Sequence, residues 1–169
     1  MILSILVLAL VTLQRLGELA LARRNARRLL ADGAREFGAS HYQALILLHV
    51  AWLAGLWLLA HDRAIAPGWL AAYALLQVAR IWVLASLGRR WTTRIIVLPA
   101  APLVRSGPYR WLKHPNYVVL AAEVAVLPLV YGLWAYALAF SALNIAILTI
   151  RTDAENAALA TQGGIPEQK

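Results

Sequence analysis

The chain has 169 residues, 62% of them hydrophobic and 14% charged, where ordinary globular domains run at roughly 45–50% apolar and 25% charged. A water-soluble domain of that length needs much more polar surface to cover its core, so soluble, disordered and fibrous classes are excluded and lipid is the solvent for much of the chain. The net charge is +8, and the lack of cysteine removes disulfides, Cys-ligated zinc, iron–sulfur clusters and thiol catalysis.

A helix that crosses a bilayer takes about 20 mainly apolar residues, and residues 1–22, 42–60 and 67–88 each supply such a run. Ala20-Leu21-Ala22 has the small side chains of a cleavage site, but no basic residue precedes the first apolar run, and Gln14, Arg15 and Glu18 interrupt it. It reads as a retained helix rather than a signal peptide. Residues 117–150 as one helix would reach roughly 50 Å at about 1.5 Å per residue, too long for a single crossing of a hydrocarbon core about 30 Å thick. Pro128 and Gly132 near its middle predict a helical hairpin turning at residues 127–132, with spans near 115–130 and 133–150. The expectation is an all-α integral membrane protein of one domain, residues 1–169, with five transmembrane helices, the last two forming the hairpin.

Charge placement tests that count independently. Loop 23–41 carries Arg23, Arg24, Arg27, Arg28 and Arg35; loop 89–116 carries Arg89, Arg90, Arg94, Arg105, Arg110 and Lys113; the tail carries Arg151 and Lys169. The intervening connections carry only Arg63. Every second loop is basic, so the positive-inside rule predicts a multi-pass protein of the cytoplasmic membrane with the N-terminus outside and the tail in the cytoplasm. Topology accounts for the charge, so no nucleic-acid partner is expected. The histidines at 41, 49, 61 and 114 form no tight cluster, and no metal is expected either.

Ionisable groups inside a bilayer are costly and usually face the bundle interior. The spans hold Gln14, Arg15, Glu18, His49, Gln77, Arg80, Glu123 and Asn144. In the orientation above all fall in the inner half of the membrane, which predicts a polar pocket open to the cytoplasm, with Arg80, His49 and Glu123 as acceptor-binding candidates. A structural role is open beside it: Arg15 and Glu18 are i,i+3 neighbours that can neutralise each other, and the amides can join helices. Trp82 and Trp91 read as interface anchors.

In loop 89–117 three prolines and Ser106-Gly107-Pro108 argue against a continuous helix, while Pro115 suits a helix start. The free N–H groups there suit an anion, and His114 and Tyr117 can point the same way. A basic, aromatic loop of this kind can also simply anchor lipid headgroups. Beyond the fifth span the chain can continue as a tail helix over 151–160, where Arg151 and Glu155 are i,i+4. They either form a surface ion pair or serve two different ligand groups.

The run Leu103-Val104-Arg105-Ser106-Gly107-Pro108-Tyr109-Arg110-Trp111-Leu112-Lys113-His114-Pro115-Asn116-Tyr117, followed after a membrane hairpin by Arg151 and Glu155, resembles the isoprenylcysteine carboxyl methyltransferase family. Gln14-Arg15-x-x-Glu18, Arg24-Asn25 and His41-Tyr42 resemble a bacterial branch of it. The resemblance implies methyl transfer from S-adenosylmethionine to a lipophilic acceptor at the cytoplasmic membrane face. It implies cofactor contacts from Leu103, Val104, Tyr109, His114, Pro115, Asn116, Tyr117 and Glu155, with Arg94 nearby, and catalytic roles for His114 and for Arg151, which would hold the acceptor's carboxylate. The chain departs from many relatives at Val119, where they have a small residue, and at Asn156, where they have an acid.

Methyl transfer is an in-line displacement with a neutral leaving group, so the enzyme mainly aligns the partners and excludes water. A carboxylate acceptor is already ionised at neutral pH, whereas a phenol or enol calls for a base, for which His114, His49 and Glu123 are candidates. Both acceptor classes stay open: an isoprenylcysteine-type carboxylate, or a lipid-like polyketide such as an alkylpyrone or alkylresorcinol. No Gly-x-Gly-x-x-Gly is present, so the cofactor would sit between helices and loop. A small transporter or a structural membrane subunit is the alternative.

Overall fold

A computed structural model describes residues 1–99 and 101–162, with the side chains of Ser40, His41, Thr161 and Gln162 excepted. The expected contribution of His41 and the charge of Lys169 therefore lie outside the described residues. In chain order the elements are α1 (Ile2–Ala31), β1 (Arg35–Phe37), α2 (Ala39–Ala60), α3 (Pro67–Leu87), β2 (Ile95–Val97), α4 (Pro115–Val130) and α5 (Trp134–Gln162). Four helices are long and apolar enough to cross a membrane, and α4 is a shorter apolar helix. Their outward faces carry bare leucines: Leu10 is 66% exposed, Leu58 76%, Leu75 72% and Leu138 73%. A surface of that kind on every long helix is a lipid-facing belt, since soluble proteins keep such patches small.

Two expectations need correcting. The chain is not all-α, because β1 pairs antiparallel with β2 in the register Arg35↔Val97, Glu36↔Ile96 and Phe37↔Ile95. Strands of three residues are too short to show a period of two, although Ile95-Ile96-Val97 is β-branched throughout. Residues 23–31 are not loop: good helix formers carry α1 on to Ala31, and Gly33 follows at φ 89°. The tail continues the fifth helix as the sequence reading allows: α5 has 29 residues, about 43 Å of helix.

Helix α3 packs along α4, α4 along α5 and α5 along α2, whereas α1 and α2 touch only sparsely. At the end away from the 89–117 loop, Leu8, Val11, Trp52, Leu56, Tyr73, Val124 and Leu127 form the apolar core. Pro128 closes α4 and Gly132, at φ 68°, turns the chain into α5, as the hairpin reading expected.

Toward the loop end the bundle turns polar. Arg15 reaches Glu18 at 2.9 Å and Glu123 at 2.7 Å, and Arg80 grips both oxygens of Glu18 at 3.0 and 2.7 Å and approaches Glu123 at 3.4 Å. Gln14 donates to Glu18 and Gln77, and Gln77 donates to Glu123. Two guanidiniums and two carboxylates thus form one buried, charge-balanced cluster tying α1, α3 and α4 together. Such a cluster persists only when nearly all of its hydrogen bonds are made. The i,i+3 pairing of Arg15 with Glu18 is real, but as part of this larger unit.

Candidate active site

A cavity of about 540 Å³ lies between α1, α2, the 89–117 loop, the start of α4 and the end of α5, well within the roughly 300–1,000 Å³ usual for small-molecule sites. Its loop wall is pinned from below. Asn25, 2% exposed near the end of α1, donates its amide to the Gly88 carbonyl at 3.2 Å and the Trp91 carbonyl at 2.8 Å. Trp91 is itself buried, with its ring 5.9 Å from the Arg80 guanidinium and its indole N–H 3.4 Å from the Asn116 amide oxygen. It is part of the cavity wall, not the interface anchor expected, whereas Trp82 is half exposed. Gly107 turns the motif segment at φ 57°, and a Cβ there would run into Ser86 Oγ and Trp82 Nε1. Only glycine meets both demands.

The polar end of the cavity is built where α4 begins beside the end of α5. Pro115 opens α4 and so points His114 and Tyr117 toward α5. Their rings stack at 5.6 Å and 15°. Tyr117 donates its hydroxyl to Glu155 at 2.6 Å, and His114 Nδ1 lies 3.6 Å from the same carboxylate oxygen. His114 Nε2 is 3.0 Å from Asn156 Oδ1, and an amide oxygen only accepts, so Nε2 donates. The departure from an acid at 156 thus leaves that position bonded to the motif histidine. Burial, and behind it the charge of Glu155, push the Tyr109 phenol above its ordinary value, so it stays protonated and able to donate.

Arg151 is 3% exposed. It donates to the Thr93 carbonyl at 2.9 Å and lies 6.0 and 5.9 Å from the Tyr42 and Tyr117 rings. Its Nε and second terminal nitrogen are buried without a hydrogen-bond partner. No Arg151–Glu155 ion pair forms among the described residues: Glu155 turns to Tyr117 and His114, and Arg151 to the Thr93 carbonyl, so the surface-pair reading fails.

Ten of the expected site residues line this one cavity: Leu103, Val104, Tyr109, His114, Asn116, Tyr117, Arg151, Glu155, Arg80 and His49. Three do not. Pro115 is packed as the first residue of α4. Arg94 turns to Glu36 across the ribbon at 3.1 Å, over the Tyr42 ring. Glu123, wholly buried, is engaged by Arg15, Arg80 and Gln77 behind the wall. Sequence reasoning missed Thr93, Thr12 and the apolar lining from α1 and α2, namely Leu16, Ile46, Val50 and Leu53. Apolar side chains in a span carry no mark that separates cavity lining from lipid-facing surface.

The profile of the isoprenylcysteine carboxyl methyltransferase (ICMT) family matches residues 69–161, more than half of the chain, from α3 through the motif loop to the end of α5. The chain belongs to that family. It is 38% identical to the uncharacterized protein YpbQ of Bacillus subtilis (strain 168) over 91% of this chain and 95% of that one. It is 25% identical to an uncharacterized protein of Haemophilus influenzae over 86% of this chain and 88% of that one. No solved structure matches. Membership makes this an enzyme fold of the membrane methyltransferase class. The family match begins at Trp69, so it covers the polar end of the cavity and leaves α1 and α2, with their share of the lining, outside it.

Proposed function

We propose that the protein is an S-adenosylmethionine-dependent O-methyltransferase for a lipophilic acceptor, working at the cytoplasmic face of a five-span bundle. The carrying observation is the two-ended character of one cavity. One end is the family's polar motif, with Glu155, Tyr117, His114 and Asn116; the other lies between α1 and α2, whose lining residues Leu16 and Val50 belong also to the exposed outer face. A water-soluble cofactor suits the first end and a membrane-borne acceptor the second.

The residues fit that cofactor. It carries an amine, a carboxylate, ribose hydroxyls and an adenine, and supplies an electrophilic methyl group. Glu155 can accept from ribose hydroxyls or the amine, Tyr109 can donate, and Leu103 and Val104 offer apolar cover. Arg151 lines the cavity and supplies the positive charge for the acceptor oxygen. Ile46, Val50 and Leu53 receive its apolar chain and keep water from the reacting atoms. The rate gain asked of these residues is alignment, which can supply several kcal/mol.

In this reading α4, with 16 residues and so about 24 Å long, crosses where the bilayer is locally thin, and the basic loops face the cytoplasm. The intramembrane charges do not favour a transport path, because they are engaged with one another. The test is binding of S-adenosylhomocysteine to protein purified in detergent. Wild type should bind, and alanine at His114, Tyr117 or Glu155 should each weaken binding at least tenfold. A folded sample that binds none refutes the enzyme reading. A reporter on the C-terminus active only in the periplasm refutes the orientation.

A further inference from the structure

Arg23, Arg24, Arg27, Arg28, Arg89 and Arg90 are all exposed, and none of the six meets a carboxylate among the described residues. Arg15 and Arg80 inside the bundle, and Arg94 on the ribbon, each have one. Asp32 is the one acid in residues 20–35 to set against the α1 arginines. Orientation asks only for an excess of basic residues somewhere in a loop. It does not ask that they be unpaired, share one face and meet from two segments, and these do all three.

At 3.6 residues per turn, Arg23, Arg24, Arg27 and Arg28 cover an arc of about 140° on the last turns of α1. Ala22, Asn25, Ala26 and Leu29 fill the opposite side and are buried. The arginine arc continues, without a change of face, the line of exposed Leu10, Leu13, Leu16 and Leu21. From Ile2 to Ala22 the helix rises about 31 Å, one hydrocarbon core, and from Arg23 to Arg28 about 7.5 Å more. The headgroup layer on one side of a bilayer is about 5–8 Å thick.

Helix α3 arrives at the same level independently. Its 21 residues also rise about 31 Å, and Arg89 and Arg90 follow at once. The Asn25 amide, bonded to the Gly88 and Trp91 carbonyls, holds the two basic segments side by side. Arg24 and Arg28 stand on the edge of the arc nearer to Asn25, and Arg90 is partly engaged by the Pro102 carbonyl whereas Arg89 is not. Less than two turns earlier on α3, half-exposed Trp82 meets exposed Trp111 with ring centroids 5.9 Å apart. Aromatic pairs of that kind belong where apolar chains give way to headgroups.

We infer that the end of α1, with Arg89 beside it, is a docking surface for anionic phospholipids of the surrounding leaflet, whose headgroups hold α1 against the start of the motif loop. Guanidiniums take phosphate oxygens in paired N–H bonds, and the bound anions relieve the repulsion between like charges that Asn25 brings together. A soluble polyanion would need this charge clear of the bilayer, whereas it begins two residues after exposed Leu21. Because the lipid binds the folded arrangement of two segments, it stabilises the native protein.

The test uses full-length protein in nanodiscs of phosphatidylcholine alone or of phosphatidylcholine mixed equally with phosphatidylglycerol. Mass spectrometry of the released protein should show wild type retaining phosphatidylglycerol in preference, and its melting temperature should be higher in the mixed discs. At about fivefold per arginine near a membrane surface, Arg24→Gln/Arg28→Gln/Arg89→Gln should cut the preference at least tenfold and lose most of the thermal gain. Those side chains hold no other residue, so the variant should melt like wild type in phosphatidylcholine; Arg23→Gln/Arg27→Gln, on the same turns, serves should it not fold. Arg63→Gln, in the connection between α2 and α3, should change neither readout. An unchanged preference in the folded arginine variants, or an equal loss in Arg63→Gln, overturns the surface. Heparin stabilising the protein in detergent as well as added phosphatidylglycerol does assigns the charge to a soluble polyanion and overturns the lipid.

Discussion

Glu123→Leu removes one of the two carboxylates that balance Arg15 and Arg80 in the bundle interior. Glu123 is completely buried and accepts from Arg15 at 2.7 Å, Gln77 at 3.0 Å and Arg80 at 3.4 Å. After the change Arg80 keeps its two bonds to Glu18, and Arg15 keeps one at 2.9 Å, but one positive charge is left uncompensated. Breaking a buried ion pair from one side costs about 3–5 kcal/mol, and placing a charge near the centre of a membrane helix costs about 2.5–3.5 kcal/mol on insertion scales. The two routes agree near 3 kcal/mol, which for a chain of this size lowers the melting temperature by about 6–12 °C. Arg15→Leu/Glu123→Leu leaves Glu18 and Arg80 as a neutral bidentate pair, so the double variant should recover most of the loss. Thermal unfolding of wild type, both single variants and the double variant in one detergent closes the cycle, with an expected coupling of at least 1 kcal/mol. If the double variant falls by the sum of the singles, the cluster is not a charge-balanced unit and the reasoning fails.

Tyr117→Phe keeps the ring that stacks on His114 but removes the 2.6 Å bond to Glu155; a bond to a charged group is worth about 1.5–3 kcal/mol, so affinity for S-adenosylhomocysteine should fall about 10- to 100-fold, and unchanged affinity would separate Glu155 from the ligand. Asn25→Ala strips two loop carbonyls of their donor and should cost about 1–3 kcal/mol, read as a lower melting temperature with faster proteolysis near Arg89 and Arg90. Gly107→Ala meets both the positive φ and the Ser86 hydroxyl. It should destabilise by about 1–3 kcal/mol, and Ser86→Ala in the same chain should restore the part due to the hydroxyl but not the part due to the backbone.

Helix positions were legible because burial in lipid demands long apolar runs, and the turn between α4 and α5 was legible because Pro128 and Gly132 have strong backbone preferences. The short ribbon was not, since three residues carry no period and its pairing joins positions about 60 apart in the chain. The motif residues His114, Tyr117 and Glu155 came from resemblance, and their meeting on two helices needed the fold. Glu123 shows the limit most sharply. Its type and depth suggested a role toward the acceptor, but a carboxylate in a helix does not announce whether its oxygens are already engaged, and here the partners come from α1 and α3.

Charge pairing is therefore what separates structure from chemistry among the intramembrane charged groups. The Arg15, Glu18, Arg80 and Glu123 cluster satisfies its charges internally, so an apolar ligand passing it meets no strong competitor, and its rigid wall holds Trp91 against the loop. Arg151 and His49 are held by one hydrogen bond each, to Thr93 and to Leu45, and neither has a carboxylate partner among the described residues. A buried donor or acceptor without a partner costs about 1–3 kcal/mol, and Arg15 Nε, Trp52 Nε1, His49 Nε2 and Arg151 Nε all stand unpartnered on residues that line the cavity. Asn144 lacks partners as well but does not line it. Charge balance and position together thus single out Arg151, a cavity-lining guanidinium of the bundle with no carboxylate partner among the described residues, as the charge left for a ligand in the proposed function.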